Sequence, residues 1–242
     1  MGYSTLRRLL EREIDEEALV FMQHEDAINL GVDEYSLKCQ EMTYNMAEVR
    51  TKRVLGILNE DRLVTLRKFL NKIPRENVKE VCIDMEESLR KLVEALYPED
   101  KVVADHFHVI ADSNRRMDEA RRIEQNVRRK RNVQIPKKIF LIGGEKLGEE
   151  TRQNLNGLLD KDPNLKGFCW ARKKISELYQ QESREDATKG LDNIILNLTC
   201  VDDGELIRWG NTLKHWRAPV LNYFDKRTTS GFTEGCHTKS RC

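Results

Sequence analysis

Three aspartates each come directly after a short apolar segment of the kind that forms a β-strand. They are Asp33, Asp84 and Asp105. Polar residues at the ends of strands form the binding sites of many α/β proteins. Two carboxylates that lie close together repel each other unless a cation sits between them, and hard oxygen ligands favour magnesium or manganese. The pattern therefore predicts a divalent-metal site, provided that the strands lie side by side.

The elements that must position these aspartates are visible in the spacing of apolar residues. Alternation beginning near Ala27 predicts three antiparallel strands, with a short turn at 50–52 between the second and the third. Helical spacing and apolar strand-like runs then alternate as far as Asp105, so the predicted order is βββαβαβ. The predicted strands are 28–33, 43–49, 53–58, 78–83 and 101–104, and the predicted helices run from Leu63 up to Pro74 and over 86–97.

This order is that of the ribonuclease H fold, an α/β fold whose mixed five-stranded sheet runs 3-2-1-4-5. In that sheet the first and fourth strands are neighbours about 4.8 Å apart, so Asp33 and Asp84 are predicted to lie side by side. Asp105 ends the fifth strand, which puts it one strand farther from Asp33, at roughly 10 Å. We therefore predict Asp84 rather than Asp105 as the second metal ligand.

The chain after Asp105 is predicted to be mostly helical as far as about residue 224, and it contains a basic segment. Ten basic residues lie between Arg115 and Lys138, against three acidic ones. Such a run is either a solvated helix face or a surface that follows DNA phosphates. The candidate DNA-binding residues in it are Arg115, Arg116, Arg121, Arg122, Arg128, Arg129, Lys130 and Arg131.

Large apolar residues recur at helical spacing farther along the chain, at Leu206, Trp209, Leu213 and Trp216. The simpler interpretation is a helix that contributes these side chains to a core. The alternative is that Trp209 or Trp216 stacks on an unpaired base, because aromatic faces stack on bases of any sequence. Trp209 is therefore a candidate DNA contact.

Composition limits the classes of protein that fit. The net charge is only +1, so an argument for a nucleic-acid partner must rest on local charge. No apolar stretch approaches the roughly 18 residues that span a bilayer. The six cysteines form no Cys-x-x-Cys pair, which argues against a zinc ribbon and against a disulfide framework. We expect a globular, soluble, cytoplasmic protein with reduced thiols.

Four blocks of the sequence closely resemble those of the ISL-three family of insertion-sequence transposases. The likeness spans about residues 28 to 240, and the last two blocks are the most specific. The blocks are Leu30-Gly31-Val32-Asp33-Glu34-Tyr35-Ser36, Cys82-Ile83-Asp84-Met85, Tyr97-Pro98 with residues 102–109, and Thr229-Ser230-Gly231-Phe232-Thr233-Glu234-Gly235-Cys236-His237-Thr238-Lys239.

The resemblance implies a bacterial DNA transposase that hydrolyses and joins strands at the ends of an insertion sequence. In such enzymes an Asp-Asp-Glu triad binds two metal ions, Mg²⁺ or Mn²⁺, and the resemblance assigns these roles to Asp33, Asp84 and Glu234. Double-stranded DNA at the nucleoid is the implied partner, bound by a homo-oligomer. The block from Asp105 to His108 looks like the Asp-x-x-His element of Mutator-like and hAT-like relatives, so these two residues are expected to form a hydrogen-bonded pair that supports the site.

The resemblance also implies a domain organisation. Residues 1–26 are expected to be a remnant of a helix-turn-helix region, 27–112 a ribonuclease H-like core, 113–227 a mostly helical insertion, and 228–242 the start of a truncated C-terminal catalytic helix. Two alternatives to an active transposase remain open. One is an inactive remnant that binds DNA through residues 115–138, and the other is a metal-dependent nuclease of the same fold.

Overall fold

A computed structural model describes residues 20–22, 24, 27–36, 42–58, 63–98, 101–129, 136–141 and 148–231. The chain divides into two compact units, one formed by residues 1–107 with 218–242 and the other by residues 108–217. Most of the predicted helix-turn-helix remnant at 1–26 lies outside the described residues, as do residues 232–242 of the predicted C-terminal part, including Glu234. The predicted four-part domain organisation stays a prediction.

The first unit is built on a mixed five-stranded sheet in the order β3-β2-β1-β4-β5. β1, β2 and β3 are antiparallel to one another in sequence order, whereas β4 is parallel to both β1 and β5. The α/β class and the predicted strand order are confirmed. The strands are β1 (Ile28–Ser36), β2 (Met42–Glu48), β3 (Arg53–Leu58), β4 (Val78–Ile83) and β5 (Val102–Ala104).

The predicted turn between β2 and β3 is present, and a buried carboxylate holds it. Glu48 accepts hydrogen bonds from the backbone N–H and, at 2.7 Å, from the hydroxyl of Thr51. Lys52 has a φ of 57°, the left-handed conformation that closes a tight turn. β1 is longer than predicted, because β2 continues to pair with it as far as Ser36.

One face of the sheet is apolar, since alternate residues of a strand point to the same side. Leu30, Val32, Met46 and Val81 on this face are fully buried. The helix α1 (Leu63–Leu70) packs against it at Gly56 of β3, where an added Cβ would lie 2.8 Å from the Phe69 ring. The helix α2 (Glu87–Glu94) starts at the N-cap Glu86 and contacts β4 and β5.

The second unit is helical, as predicted for the chain after Asp105. Asp162, Ser183 and Asp203 cap helices in it by accepting hydrogen bonds from first-turn N–H groups. Whether this region is an insertion into the sheet domain stays a prediction. The helices that follow β5 are α3 (His106–Arg129), α4 (Lys138–Leu141), α5 (Glu149–Leu159), α6 (Pro163–Leu178), α7 (Arg184–Thr199) and α8 (Gly204–His215).

The last helix, α9 (Arg217–Lys226), returns to the first unit and contacts β4 and β5. The Asn222 side chain donates to the Val102 carbonyl at 2.8 Å, and the Thr228 hydroxyl donates to Glu80. Lys226 Nζ lies 3.3 Å from the same Glu80 carboxylate. The end of the described chain is thereby fixed across β4 and β5. Within the described segments, no helix has the length and apolar character needed to cross a membrane.

Candidate metal centre

Asp33 and Asp84 are brought side by side by the parallel pairing of β1 and β4. The last paired residues of this ladder are Val32 and Ile83, so the two aspartates are the next residues on adjacent strands. Asp33 is only 3% exposed, and Asp84 is half-buried. The predicted adjacency is therefore what the strand register produces. Asp33 was predicted to end its strand. It lies instead within β1, at the level where the partner strand β4 stops.

His108 lies beside these two carboxylates. It belongs to the first turn of α3, which begins directly after β5 and Asp105. One potential ligand atom from each of Asp33, Asp84 and His108 lies within 4.8 Å of the others. Asp84 Oδ1 and His108 Nε2 are both shielded from solvent.

This set of donors fits a divalent cation. Two carboxylates supply the negative charge and the hard oxygens that Mg²⁺ and Mn²⁺ prefer, and a neutral imidazole is also a ligand for first-row metals. Burial strengthens the attraction, because water screens a buried ion less than an exposed one. The same three groups could hold a metal ion, and its identity stays a prediction.

Asp105 belongs to a different cluster. It is completely buried, and its Oδ1 accepts a hydrogen bond from the Thr229 hydroxyl at 2.9 Å. Its Oδ2 accepts from the Ser230 hydroxyl, and its Oδ1 also lies 3.3 Å from both the Phe107 N–H and His106 Nδ1. Burial raises the pKa of Asp105, but these hydrogen bonds outweigh burial and leave the pKa below its ordinary value of 3.8.

These contacts bear on one prediction. Asp105 accepts hydrogen bonds from Thr229 and Ser230, and His108 lies with Asp33 and Asp84. The predicted hydrogen-bonded pair of Asp105 and His108 stays a prediction. The described contacts thus make His108 a potential ligand and Asp105 an anchor for the C-terminal segment.

The arginines of the basic segment are paired with acids of the same helix. Asp112 contacts Arg115 and, at 2.7 Å, Arg116, while Arg115 also lies 2.8 Å from Glu119. Asp118 lies 2.7 Å from Arg121, 3.0 Å from Arg122 and 3.6 Å from Lys137. Of the other candidates, Arg128 and Arg129 lie in α3 with undescribed side chains, and Lys130 and Arg131 are outside the described residues. Their predicted role in DNA binding stays a prediction.

Trp209 is a core residue in this structure. It is completely buried, stacks on Phe168 with ring centroids 5.8 Å apart, and has the Arg116 guanidinium 5.7 Å from its ring centre. Trp216 is also buried, at 3% exposure. The geometry favours the core interpretation, and base stacking by Trp209 stays a prediction that requires the helices to open.

Sequence reasoning missed the residues that join the C-terminal segment to the sheet. Thr228 donates to Glu80 and accepts from Cys82 at 3.8 Å through its carbonyl, and the two residues that follow hold Asp105. Burial raises the pKa of the Cys82 thiol well above its ordinary value. The run of three hydroxyl residues at 228–230 was the available signal, since three consecutive small donors suit buried carboxylate partners.

An open mixed sheet in this order, with acids and a histidine converging beside β1 and β4, is consistent with the ribonuclease H-like class of nucleic-acid enzymes. A family model described as a transposase, of the ISL-three (ISL3) DDE type, matches residues 30–242. The chain therefore belongs to this transposase family, a family of DNA-binding and DNA-processing enzymes. A search of curated proteins gave no match.

Proposed function

We propose that this chain is a DDE-type transposase catalytic domain that cleaves DNA at insertion-sequence ends and joins those ends to a target. The observation that carries the proposal is the convergence of Asp33, Asp84 and His108, with ligand atoms within 4.8 Å of one another. Close carboxylates in a buried setting destabilise a protein unless a cation compensates for them. A metal site of this kind suits a family of DNA-processing enzymes, because divalent ions support displacement at phosphorus.

In the proposed site Asp33 and Asp84 hold divalent metal, His108 is an additional ligand, and Glu234 is the third acid of the triad. Two bound ions, Mg²⁺ or Mn²⁺, would activate water or a DNA 3′-hydroxyl and stabilise the leaving oxygen. The chain itself fixes the carboxylates at adjacent strand positions and excludes water around Asp33. The role of Glu234 rests on the family resemblance.

The anchoring of the C-terminal segment supports a role for Glu234. Ser230 is completely buried against Asp105, and Glu234 follows it by four residues. The chain that leads to Glu234 is therefore anchored at Ser230, beside the end of β5.

Experiment can separate an active transposase from the two alternatives, an inactive DNA-binding remnant and a metal-dependent nuclease. Calorimetry with Mn²⁺ and Mg²⁺ should detect uptake that is lost in Asp33→Asn and Asp84→Asn. Nicking of supercoiled DNA and joining of pre-cut element ends should disappear in the same variants, by roughly a thousandfold if metal contributes about 4 kcal/mol to the barrier. Asp192→Asn, which only breaks an exposed pair with Arg217, is the control.

The outcomes distinguish the candidates. DNA binding without metal uptake would identify an inactive remnant, and nicks without joined product would identify a nuclease. Thermal unfolding adds an independent test, because Asp33→Asn removes a charge from a like-charged pair. In EDTA the variant should be more stable than wild type by about 1–2 kcal/mol. In Mn²⁺ the order should reverse, and a variant that is less stable under both conditions would contradict the proposal.

A further inference from the structure

Asn45 lies on β2 directly opposite Asp33. The two residues are Cα partners in the antiparallel β1–β2 ladder, so their side chains point to the same face of the sheet. Opposite Cβ atoms in such a pair are about 4.5–5.5 Å apart. Asp84 and His108 approach Asp33 from β4 and α3, on the other side of β1. Asn45 is thus a polar neighbour of Asp33 on the β2 side.

The amide of Asn45 has an oxygen that the described residues leave unsatisfied. Asn45 is 4% exposed, and its Oδ1 is buried without a hydrogen-bond partner in the described part of the chain. A buried polar atom without a partner costs about 1–3 kcal/mol, and native proteins rarely leave one unexplained. Its neighbour is the carboxylate that we propose as a metal ligand, and this points to an ion as the missing partner.

The neighbours of Asn45 on one side are small. The next pair on the same face of the β1–β2 ladder is Gly31 with Ala47, which together contribute one methyl group. An amide oxygen is a neutral hard ligand that divalent cations accept beside carboxylates. A neutral ligand on this side of Asp33 would give the cation one more oxygen. It would add no further negative charge to the two carboxylates of Asp33 and Asp84.

We propose that Asn45 is an oxygen ligand of a divalent cation held by Asp33, on the side of Asp33 that faces β2. The inference rests on the proposed function, because it needs Asp33 to bind metal. It adds a ligand that the acid triad does not include. The competing explanation is that the Asn45 amide N–H donates to Asp33 and only orients it, and the two explanations differ in which atom of the amide is needed.

Asn29 provides a matched control within the same sheet. It lies on the same face of β1, it is 2% exposed, and its Oδ1 also has no partner within the described residues. It precedes Asp33 by four residues, which is about 13 Å along a strand, and it lies opposite Glu80 of β4. Replacing Asn29 therefore removes the same buried group without touching the proposed site.

Mn²⁺ titration calorimetry on the full chain tests the proposal. Asn45→Ala should weaken Mn²⁺ affinity by about tenfold. Asn45→Asp, which keeps an oxygen ligand and cannot donate a hydrogen bond, should bind at least as tightly as wild type. Asn29→Ala should leave the affinity unchanged. Thermal unfolding in EDTA establishes that each variant is folded. If Asn45→Ala does not fold, the proposal is tested by comparing the Mn²⁺ affinity of Asn45→Asp with that of wild type.

Two results would overturn the proposal. If Asn45→Asp loses affinity, the amide N–H is what matters and Asn45 is a positioning residue. If Asn45→Ala binds as wild type does while Asp33→Asn does not bind, Asn45 has no role at the metal. Absence of Mn²⁺ uptake by wild type would instead contradict the proposed function itself, so the two failures are distinguishable.

Discussion

The sheet and the helix α3 both concentrate charged residues, but they arrange them in opposite ways. Beside β1 and β4, the carboxylates of Asp33 and Asp84 converge with His108. In α3, the acids Asp112 and Asp118 each lie against basic residues about one turn away. Like charges together destabilise a fold unless a ligand compensates, whereas each acid of α3 is compensated by its basic neighbours. The difference separates a binding site from an ordinary helix surface.

The stability of the helical unit should therefore depend on its apolar core and not on its charges. Trp209→Ala should destabilise the protein by about 3–5 kcal/mol, because the indole is completely buried and stacks on Phe168. Urea unfolding followed by far-ultraviolet circular dichroism measures this effect. Trp170→Ala is the control, since Trp170 is only half-buried and should cost less. A stable Trp209→Ala variant that binds single-stranded DNA more weakly would favour base stacking instead.

In the sheet unit, the largest effect outside the proposed metal ligands should come from Asp105. Asp105→Asn weakens the buried bonds from Thr229 and Ser230 and should destabilise the protein by about 1–3 kcal/mol at neutral pH. Thr229→Val, which removes one donor, should cost about 1 kcal/mol. Equal stability of wild type and Asp105→Asn in urea would contradict the anchoring role.

The same variant should also change the dependence of stability on pH. Because the pKa of Asp105 is lowered in the folded protein, its contribution is present above the ordinary value of 3.8 and is lost as the pH falls through the folded pKa. The gap in unfolding free energy between wild type and Asp105→Asn should therefore narrow below about pH 4. A gap that stays constant down to pH 2 would show that the charge of Asp105 is not what stabilises the segment.

The smallest effect is expected in α3. Asp118→Asn keeps the shape of a buried side chain but removes the charge that holds Arg121 and Arg122, and it should cost about 1 kcal/mol of stability. If this face follows DNA phosphates, non-specific DNA affinity should rise and the slope of log K against log salt should steepen by about one. Asp192→Asn, which releases Arg217 outside the basic segment, is the control. Unchanged DNA binding in both variants would mean that the arginines form a solvated surface.

The sequence predicted the sheet well because period-two alternation and strand order are local signals. The adjacency of Asp33 and Asp84 followed from that order alone. The position of His108 could not be predicted in the same way, because it depends on the residue at which α3 starts and on the direction of its first turn. The pairing of Asp105 with Thr229 and Ser230 is a contact between residues far apart in the chain, which local patterns do not reveal. Asp112 pairs with Arg115 and Arg116 but precedes the basic segment, so the composition of that segment did not reveal these ion pairs.

The anchoring of residues 228–230 to Glu80 and Asp105 has a consequence for synthesis of the protein. A ribosome makes the five strands well before the segment that contacts Glu80 and Asp105, with all of residues 108–217 in between. Contacts between such distant segments form slowly, because a long loop must close before they can be made. Until residues 228–230 have been made, buried acids such as Glu80 and Asp105 remain accessible to water on the nascent chain, and the sheet unit lacks the contacts that bury them.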